Sequence, residues 1–235
     1  MIKAVLFDKD GTLLEFESTW HRIFTTVFRR FRTELALDVA AVDRIKRVSG
    51  YRNSGFEPES IAQYMSTSGI IDRWAACIDR HDLRDPMRRI VNSAALDPSA
   101  PIDLLPGVDS TLHYLSAKRY HLGVATADSL ESTRHGLTRA GILHHFSFLG
   151  CDDGTHPAKP DPSMAHEFRD LHGIAEHELL IVGDSASDRE FARNAGARFV
   201  GIAAAHSRFN ATDDDDDGAI EVIRTMDELI PRCAL

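Results

Sequence analysis

The pattern of hydrophobic and polar positions divides the chain into three parts. Residues 2–7 form a short apolar run that a single lysine interrupts. Such a run is typical of a strand that is buried on both faces of a parallel sheet. Residues 15 to about 100 instead carry apolar side chains such as Trp20 and Phe24 at helical spacing. Beyond residue 103, apolar runs alternate with helical stretches, which predicts βαβ units.

The pattern also predicts where individual elements begin and end. After the first strand, further strands are predicted at residues 121–125, 146–149, 179–182 and 198–202. Short polar side chains accept hydrogen bonds from the first free N–H groups of a helix, so they mark predicted helix starts. The predicted helix starts are at Ser18, Asp38, Asp85, Asp128 (in a capping box with Glu131) and Asp161, with further helices near residues 59–66, 71–80, 107–118 and 225–230.

These elements predict an α/β fold. The core is expected to be a doubly wound parallel sheet of the Rossmann-like kind, covered by helices on both faces. The helical stretch after the first strand is too long for a loop, so it predicts a small all-helical cap domain. The predicted domains are therefore the core, residues 1–14 and 103–235, and the inserted cap, residues 15–102.

Composition narrows the classes of partner. The chain has 27 basic and 36 acidic residues and a net charge of −9, which argues against nucleic acid as a partner. Three scattered cysteines favour a reducing, cytoplasmic location. The sequence shows no signal peptide and no run of the roughly 20 apolar residues that a membrane helix needs. An acidic run, residues 213–217, is interpreted as a solvated loop. The oligomeric state stays open.

Candidate chemistry begins where the first predicted strand ends. Asp8 and Asp10 stand two residues apart there, followed by Gly11 and Thr12. Two carboxylates at the end of a buried strand are costly unless something binds them, and ligands of open α/β sheets lie at this end. The functional interpretation is a divalent cation with a phosphate beside it. The alternative is an ordinary Asp-Gly turn.

Three later stretches follow the same pattern. Thr126 ends the strand at residues 121–125, and Lys159 precedes the helix that starts at Asp161. The sequence Gly-Asp-Ser-Ala-Ser-Asp, residues 183–188, comes straight after the apolar run at residues 179–182. Together with the first motif, these stretches resemble the four signatures of the haloacid dehalogenase-like hydrolases. The helical insert is similar in position to the cap of the phosphoglycolate phosphatase-like subgroup.

This resemblance implies roles for particular residues. Asp8 would be the nucleophile that becomes phosphorylated, and Asp10 would act as general acid and then as general base. Thr126, Ala127 and Lys159 would bind the phosphoryl group. Mg²⁺ would be held by Asp8, the Asp10 backbone carbonyl and Asp184, and Asp188 would help through water or by orienting Lys159. These are the ligand set and the catalytic set that the resemblance implies, by sequence position.

The expected function is that of a Mg²⁺-dependent phosphatase of a small metabolite such as a phosphoglycolate-like or sugar phosphate ester. A sugar phosphomutase shares the same core residues and stays open as an alternative, as does a non-catalytic domain that is phosphorylated on aspartate. Many phosphoglycolate phosphatases have Asn-Lys after the threonine, whereas this chain has Ala127 and Asp128. Arg52, in the polar stretch 49–55, is predicted to reach the cleft and bind the substrate tail.

Overall fold

A six-stranded sheet organises the computed structural model, which describes residues 1–52, 55–57, 60–63, 65–152, 155–203 and 221–233. Within these residues, the strands are Ala4–Phe7 (β1), Tyr51–Arg52 (β2), Gly55–Phe56 (β3), His121–Ala125 (β4), Phe148–Gly150 (β5), Leu179–Gly183 (β6), Arg198–Ile202 (β7) and Glu221–Ile223 (β8). The sheet has the order β5-β4-β1-β6-β7-β8, and all of its pairings are parallel. β2 and β3 pair antiparallel with each other.

Helices connect the strands of the sheet and fill the segment that follows β1. In the described part of the chain they are Phe16–Glu34 (α1), Val39–Ser49 (α2), Thr67–Cys77 (α3), Arg84–Ala95 (α4), Val108–Ala117 (α5), Leu130–Arg139 (α6), Ser163–His172 (α7), Ala186–Asn194 (α8) and Ile230–Cys233 (α9). Single 3₁₀ turns lie at Ile61–Gln63, His81–Leu83, Leu143–His145, Glu176–Glu178 and Met226–Leu229. None of the described helices has the length and apolar character that crossing a membrane requires.

Strand β1 is buried at the centre of the sheet. Its side chains alternate between two hydrophobic clusters, with Val5 and Phe7 in one cluster and Ala4 and Leu6 in the other. All four residues are fully buried. An apolar residue at every position is what a strand covered on both faces requires, so the predicted buried strand and the doubly wound α/β core are confirmed.

The order of the strands creates a switch point beside β1. The chain passes from β1 to β4 and β5 on one side, and then crosses to β6, β7 and β8 on the other. Phe7 is in register with Val124 of β4 and with Val182 of β6. The residues that follow these three strands therefore emerge together at one edge of the sheet, where open α/β sheets bind their ligands.

Helices α1 to α4 form a separate hydrophobic cluster on the segment inserted after β1. Its centre is aromatic, since the rings of Phe24 and Phe28 lie 5.6 Å and 5.9 Å from the ring of Trp74. The indole N–H of Trp74 donates a hydrogen bond of 2.7 Å to Ser49 Oγ. The mostly helical segment also contains the short β2–β3 pair, which the helical periodicity did not predict.

The inserted segment leaves and re-enters the sheet at neighbouring points. The backbone N–H of Glu15 donates to the Asp103 carbonyl at 2.8 Å, and that of Leu105 donates to the Leu13 carbonyl at 3.0 Å. The two linkers are thus paired with each other. A further contact joins another part of the segment to the core, because Ser68 Oγ donates to Asp152 Oδ2 at 2.9 Å.

Several predicted helix starts are wrong. Helix α1 begins before Ser18, because the Glu15 carboxylate accepts hydrogen bonds from the first backbone N–H groups. Ser129 caps α6 in place of Asp128, which forms an ion pair elsewhere. Asp85 lies inside the first turn of α4, because the preceding 3₁₀ turn runs directly into that helix.

Two short elements also differ from the prediction, and one predicted loop lies outside the described residues. The helix expected near residues 59–66 is the 3₁₀ turn Ile61–Gln63, and β8 was not predicted. Three residues are too few to show a strand period, and β8 is fixed by its pairing with β7. The acidic run at residues 213–217 lies outside the described residues.

Candidate active site

The turn after β1 places two carboxylates at the switch point. The backbone N–H of Asp8 donates to the Val182 carbonyl at 2.8 Å, so the parallel ladder continues to the first aspartate. The chain then folds back, with Gly11 N donating to the Leu14 carbonyl at 2.8 Å. Gly11 has φ = +84°, and a Cβ atom there would overlap with the Asp184 carboxylate. Glycine is therefore required at this turn for its backbone conformation and for space.

Lys159 links the end of β1 to the first turn of α8 through its ammonium group. Its Nζ atom donates to Asp8 Oδ1 at 2.6 Å and to Asp188 Oδ1 at 2.5 Å. Asp188, which is 1% exposed, is itself held by Ser185, whose Oγ donates to Asp188 Oδ2 at 2.6 Å. The first turn of α8 therefore fixes the position of a lysine that arrives from the loop before α7.

Asp8, Asp184 and Asp188 form a carboxylate cluster. One oxygen of each lies within 4.8 Å of the others. Burial raises the pKa of Asp8 to about 7, an effect that Lys159 opposes and that the charges of Asp188 and Asp10 reinforce. Burial, together with the charges of Asp8 and Asp188, raises the pKa of Asp184 well above its usual value. Lys159 contacts Asp8 and Asp188 but not Asp184, and an all-oxygen site with this excess negative charge fits a hard divalent cation such as Mg²⁺.

Asp10 points to a different partner, the neighbouring Lys9. Lys9 Nζ lies 2.7 Å from Asp10 Oδ2 and 2.9 Å from Asp128 Oδ2, and its side chain is 5% exposed. Burial lowers the pKa of Lys9, but the two carboxylates outweigh this effect and raise it, so the ammonium group remains charged. For Asp10, burial raises the pKa, Lys9 lowers it and the charge of Asp128 raises it again, with a net increase.

One oxygen of Asp10 remains available. Asp10 Oδ1 is buried and has no hydrogen-bond partner among the described residues. The indole Nε1 of Trp20 also lacks a partner with hydrogen-bond geometry in the described chain, although Trp20 lies close enough to lower the pKa of Asp10. A buried carboxyl oxygen and a buried N–H group that lack a well-formed hydrogen bond are unusual, and they indicate a place where a polar atom of a ligand binds.

Thr126 and Ala127 directly follow the end of β4, the strand next to β1 in the sheet. Thr126 is 2% exposed, and its Oγ atom accepts a hydrogen bond of 3.2 Å from the Asp128 backbone N–H. Both residues line the same cavity as Asp8, Asp10 and Lys159. The structure therefore brings together the predicted residues from β1, β4 and the loop before α7.

A cavity of about 50 Å³ lies between this sheet edge and the inserted segment. On its other side it is closed by mainly aromatic and branched side chains, which we call the helical wall: Trp20, Phe24, Met65, Ile71, Trp74 and Val91. Arg52 is not among the lining residues. Its side chain is 76% exposed and forms an ion pair with Glu57. The structure thus does not bring Arg52 to the site, contrary to the prediction from the polar stretch.

Three contributors to the site were not predicted from the sequence. Lys9 and Asp128 form the ion pair beside Asp10, and Ser185 anchors Asp188. A lysine between two aspartates at the end of an apolar strand indicates an ion pair, because such a lysine is buried and needs carboxylate partners. Its second partner could not be identified, since Asp128 also suited a helix cap.

Comparisons with known proteins agree with this geometry. The profile of the haloacid dehalogenase-like hydrolase family matches residues 5–202. A phosphoglycolate phosphatase of Cereibacter sphaeroides (strain ATCC 17029) is 25% identical over 197 residues, which cover 84% of this chain and 83% of that protein.

Solved structures share the fold. A predicted phosphoglycolate phosphatase from Haemophilus somnus 129PT superposes with a TM-score of 0.74 at 20% identity, over 98% of this chain and 97% of the other. A Thermotoga maritima protein proposed to be a β-phosphoglucomutase superposes with a TM-score of 0.66 at 19% identity, over all of both chains. The match to the family profile over most of the sequence shows that this chain belongs to the haloacid dehalogenase-like hydrolases.

Proposed function

We propose that this protein is a Mg²⁺-dependent phosphatase that hydrolyses a small phosphate monoester through a phosphorylated Asp8. The observation that carries the proposal is the position of Lys159 Nζ, 2.6 Å from Asp8 Oδ1 within a carboxylate cluster. A phosphoryl group on Asp8 would lie beside this ammonium group. The related phosphoglycolate phosphatase supports the same reaction class.

Asp8 and Asp10 divide the chemistry between them. A carboxylate oxygen of Asp8 attacks phosphorus, the bond from phosphorus to the ester oxygen breaks, and Asp10 gives its proton to the departing alkoxide. Asp10 then takes a proton from a water molecule that attacks the acyl phosphate, which releases inorganic phosphate and restores Asp8. The buried, partnerless Oδ1 of Asp10 suits this exchange of one proton in each direction.

Lys159 and Thr126 stabilise the transferring group. The ammonium group of Lys159 compensates the negative charge that accumulates on the phosphoryl oxygens, in a site that is largely closed to water. Thr126 offers its hydroxyl from the end of β4. Asp188 acts on Lys159 rather than on the substrate, because it shares the same ammonium group and is held in place by Ser185.

Mg²⁺ would be held by the carboxylates of Asp8 and Asp184 and the backbone carbonyl of Asp10, with Asp188 contributing through water or through Lys159. When bound, the ion screens the repulsion between the Asp8 carboxylate and the anionic ester. In this proposal, residues 15–102 form the cap domain. Their own hydrophobic cluster and their adjacent linkers support these boundaries. The cap excludes water from the reaction.

The phosphomutase alternative requires a second phosphate to be held away from Asp8. No lysine or arginine among the described residues lines the helical wall, so no feature of the described site favours it. We also place the enzyme in the cytoplasm, because its three cysteines are free and two of them are buried.

The test uses purified protein, Mg²⁺ and a panel of phosphate monoesters. We expect release of inorganic phosphate and an acid-labile phosphoprotein on rapid quenching, and we expect Asp8→Asn to lose both. A mutase would isomerise a sugar phosphate without net phosphate release. Phosphate release at the normal rate by Asp8→Asn would contradict the proposed nucleophile.

A further inference from the structure

The helical wall differs chemically from the sheet side of the cavity. The sheet side carries charged and hydroxyl groups, whereas the helical wall is built from apolar and aromatic side chains. Trp20 and Val91 are 9% and 5% exposed, and Ile71 and Trp74 are almost completely buried. The polar residues on this side, Gln63 and Thr67, are uncharged. The part of a substrate that extends from phosphorus towards the cap therefore meets an apolar surface.

No cation is available on this side within the described chain. The ammonium group of Lys9 is held by Asp10 and Asp128, and Lys9 does not line the cavity. Lys159 belongs to the sheet side, where Asp8 and Asp188 hold it. Lys9 Nζ lies 5.9 Å from the centre of the Trp20 ring, but the groups that line the cavity there are its two carboxylate partners, Asp10 and Asp128.

We propose that the alcohol portion of the substrate is uncharged and mainly apolar, an aryl-alkyl or alkyl group with few hydroxyls. This inference rests on the proposed phosphatase function and names its substrate class. A carboxylate or a second phosphate in this position would lose its water without gaining a cation, which is unfavourable. An apolar group of the same size is instead stabilised in proportion to the apolar area that it buries against the wall.

The wall also offers a few polar contacts that fit such an alcohol. The indole N–H of Trp20, which interacts with Asp10 without a well-formed hydrogen bond, can donate to the substrate, and Gln63 and Thr67 can each accept or donate another hydrogen bond. Together these groups suit an ether or a single hydroxyl on the substrate. They do not replace a cation, because a neutral donor compensates only part of the charge of a buried anion.

The first experiment compares kcat/KM for benzyl phosphate and 2-phosphoglycolate in the presence of Mg²⁺. Both esters release a primary alkoxide, so the comparison isolates recognition of the alcohol portion. We expect benzyl phosphate to be favoured by about tenfold or more, the range that contacts in an apolar pocket provide. An equal or higher value for 2-phosphoglycolate would overturn the inference while leaving the phosphatase function intact. Failure to cleave any monoester would overturn both.

The second experiment adds a cation to the helical wall. Thr67→Arg should shift the ratio of the two kcat/KM values towards 2-phosphoglycolate by about tenfold, since a charge-assisted contact then becomes possible. Thr33→Arg, on the exposed face of α1, is the matched control and should leave the ratio unchanged. If Thr67→Arg does not fold, Gln63→Lys tests the same point. If the variant folds and the ratio of the two kcat/KM values does not change, the helical wall does not contact the alcohol portion, and the inference is overturned.

Discussion

Lys9 Nζ lies 2.9 Å from Asp128 Oδ2, which ties the turn after β1 to the loop after β4. The same ammonium group lies 2.7 Å from Asp10 Oδ2. Lys9 therefore holds the proposed acid in a fixed orientation and compensates two buried carboxylates at once. Lys9 is a positioning residue in this arrangement, because it does not line the cavity.

Replacement of Lys9 should destabilise the protein. Lys9→Met leaves Asp10 and Asp128 facing each other without a cation, and loss of one partner of a buried ion pair costs about 3–5 kcal/mol. The free energy of unfolding, measured in urea, should fall by that amount. The double variant Lys9→Met, Asp128→Asn should recover part of the loss, and strictly additive effects would contradict the proposed coupling.

The two aspartates after β1 should differ in the step that they affect. Asp8→Asn should abolish phosphate release and phosphoprotein formation, because the nucleophile is missing. Asp10→Asn should lower kcat by about 10²–10⁴-fold, the usual contribution of a general acid–base group. Steady-state kinetics and acid-quench labelling measure both. Equal residual activity of the two variants would show that their roles are not distinct.

Activity should depend on a divalent cation. Removal with EDTA should abolish phosphate release and Mg²⁺ should restore it, because three carboxylates, two of them buried, cluster at this site, where Lys159 contacts only Asp8 and Asp188 of the three. Excess Ca²⁺ should inhibit, since it prefers more ligands at longer distances than Mg²⁺. Full activity in EDTA after exhaustive dialysis would contradict the assigned ligand set.

Gly11→Ala should damage the metal site more than its backbone strain explains. Both Gly11 and Gly173 have positive φ, at +84° and +62°, so alanine costs about 1–2 kcal/mol at either position. Only at Gly11 would the added Cβ displace Asp184, because nothing lies within 4 Å of a Cβ at Gly173. We expect Gly11→Ala alone to raise the Mg²⁺ concentration needed for half-maximal activity. A similar change in Gly173→Ala would attribute the effect to general destabilisation.

Arg52→Ala should leave kcat/KM unchanged for every ester. The Arg52 side chain is 76% exposed and pairs with Glu57 outside the cavity, and exposed ion pairs contribute at most about 1 kcal/mol to stability. Kinetics on 2-phosphoglycolate and benzyl phosphate check this. A selective rise in KM for 2-phosphoglycolate would instead show that Arg52 contacts the substrate, as predicted from the sequence.

The sequence predicted the sheet edge of the site well, for a local reason. Each predicted core residue directly follows an apolar run or precedes a helix start, so its place in the sheet depends on neighbours in the sequence. Asp8 after β1, Thr126 after β4 and Asp184 after β6 lie where the strand pattern put them. Parallel pairing then brings them together without further information.

Contacts between distant segments could not be predicted in the same way. The packing of the loop after β4 decides which carboxylate pairs with Lys9. From the sequence alone, Asp128 is equally suited to cap the following helix. The orientation of Arg52 depends on Glu57 across the β2–β3 pair, whose strands are too short to show a period. Tertiary packing, rather than local preference, decides both cases.

The pairing of the two linkers has a consequence for how such a protein can diversify. Since Glu15 N donates to the Asp103 carbonyl at 2.8 Å, the inserted segment begins and ends at almost the same point of the sheet. Its length, helix packing and wall composition can change without moving β1 or β4. If the proposed function holds, phosphoryl transfer belongs to the sheet and choice of alcohol to the inserted segment, and we expect related proteins to exchange this segment at its two adjacent linkers, with the Ser68–Asp152 contact as the further point to be matched.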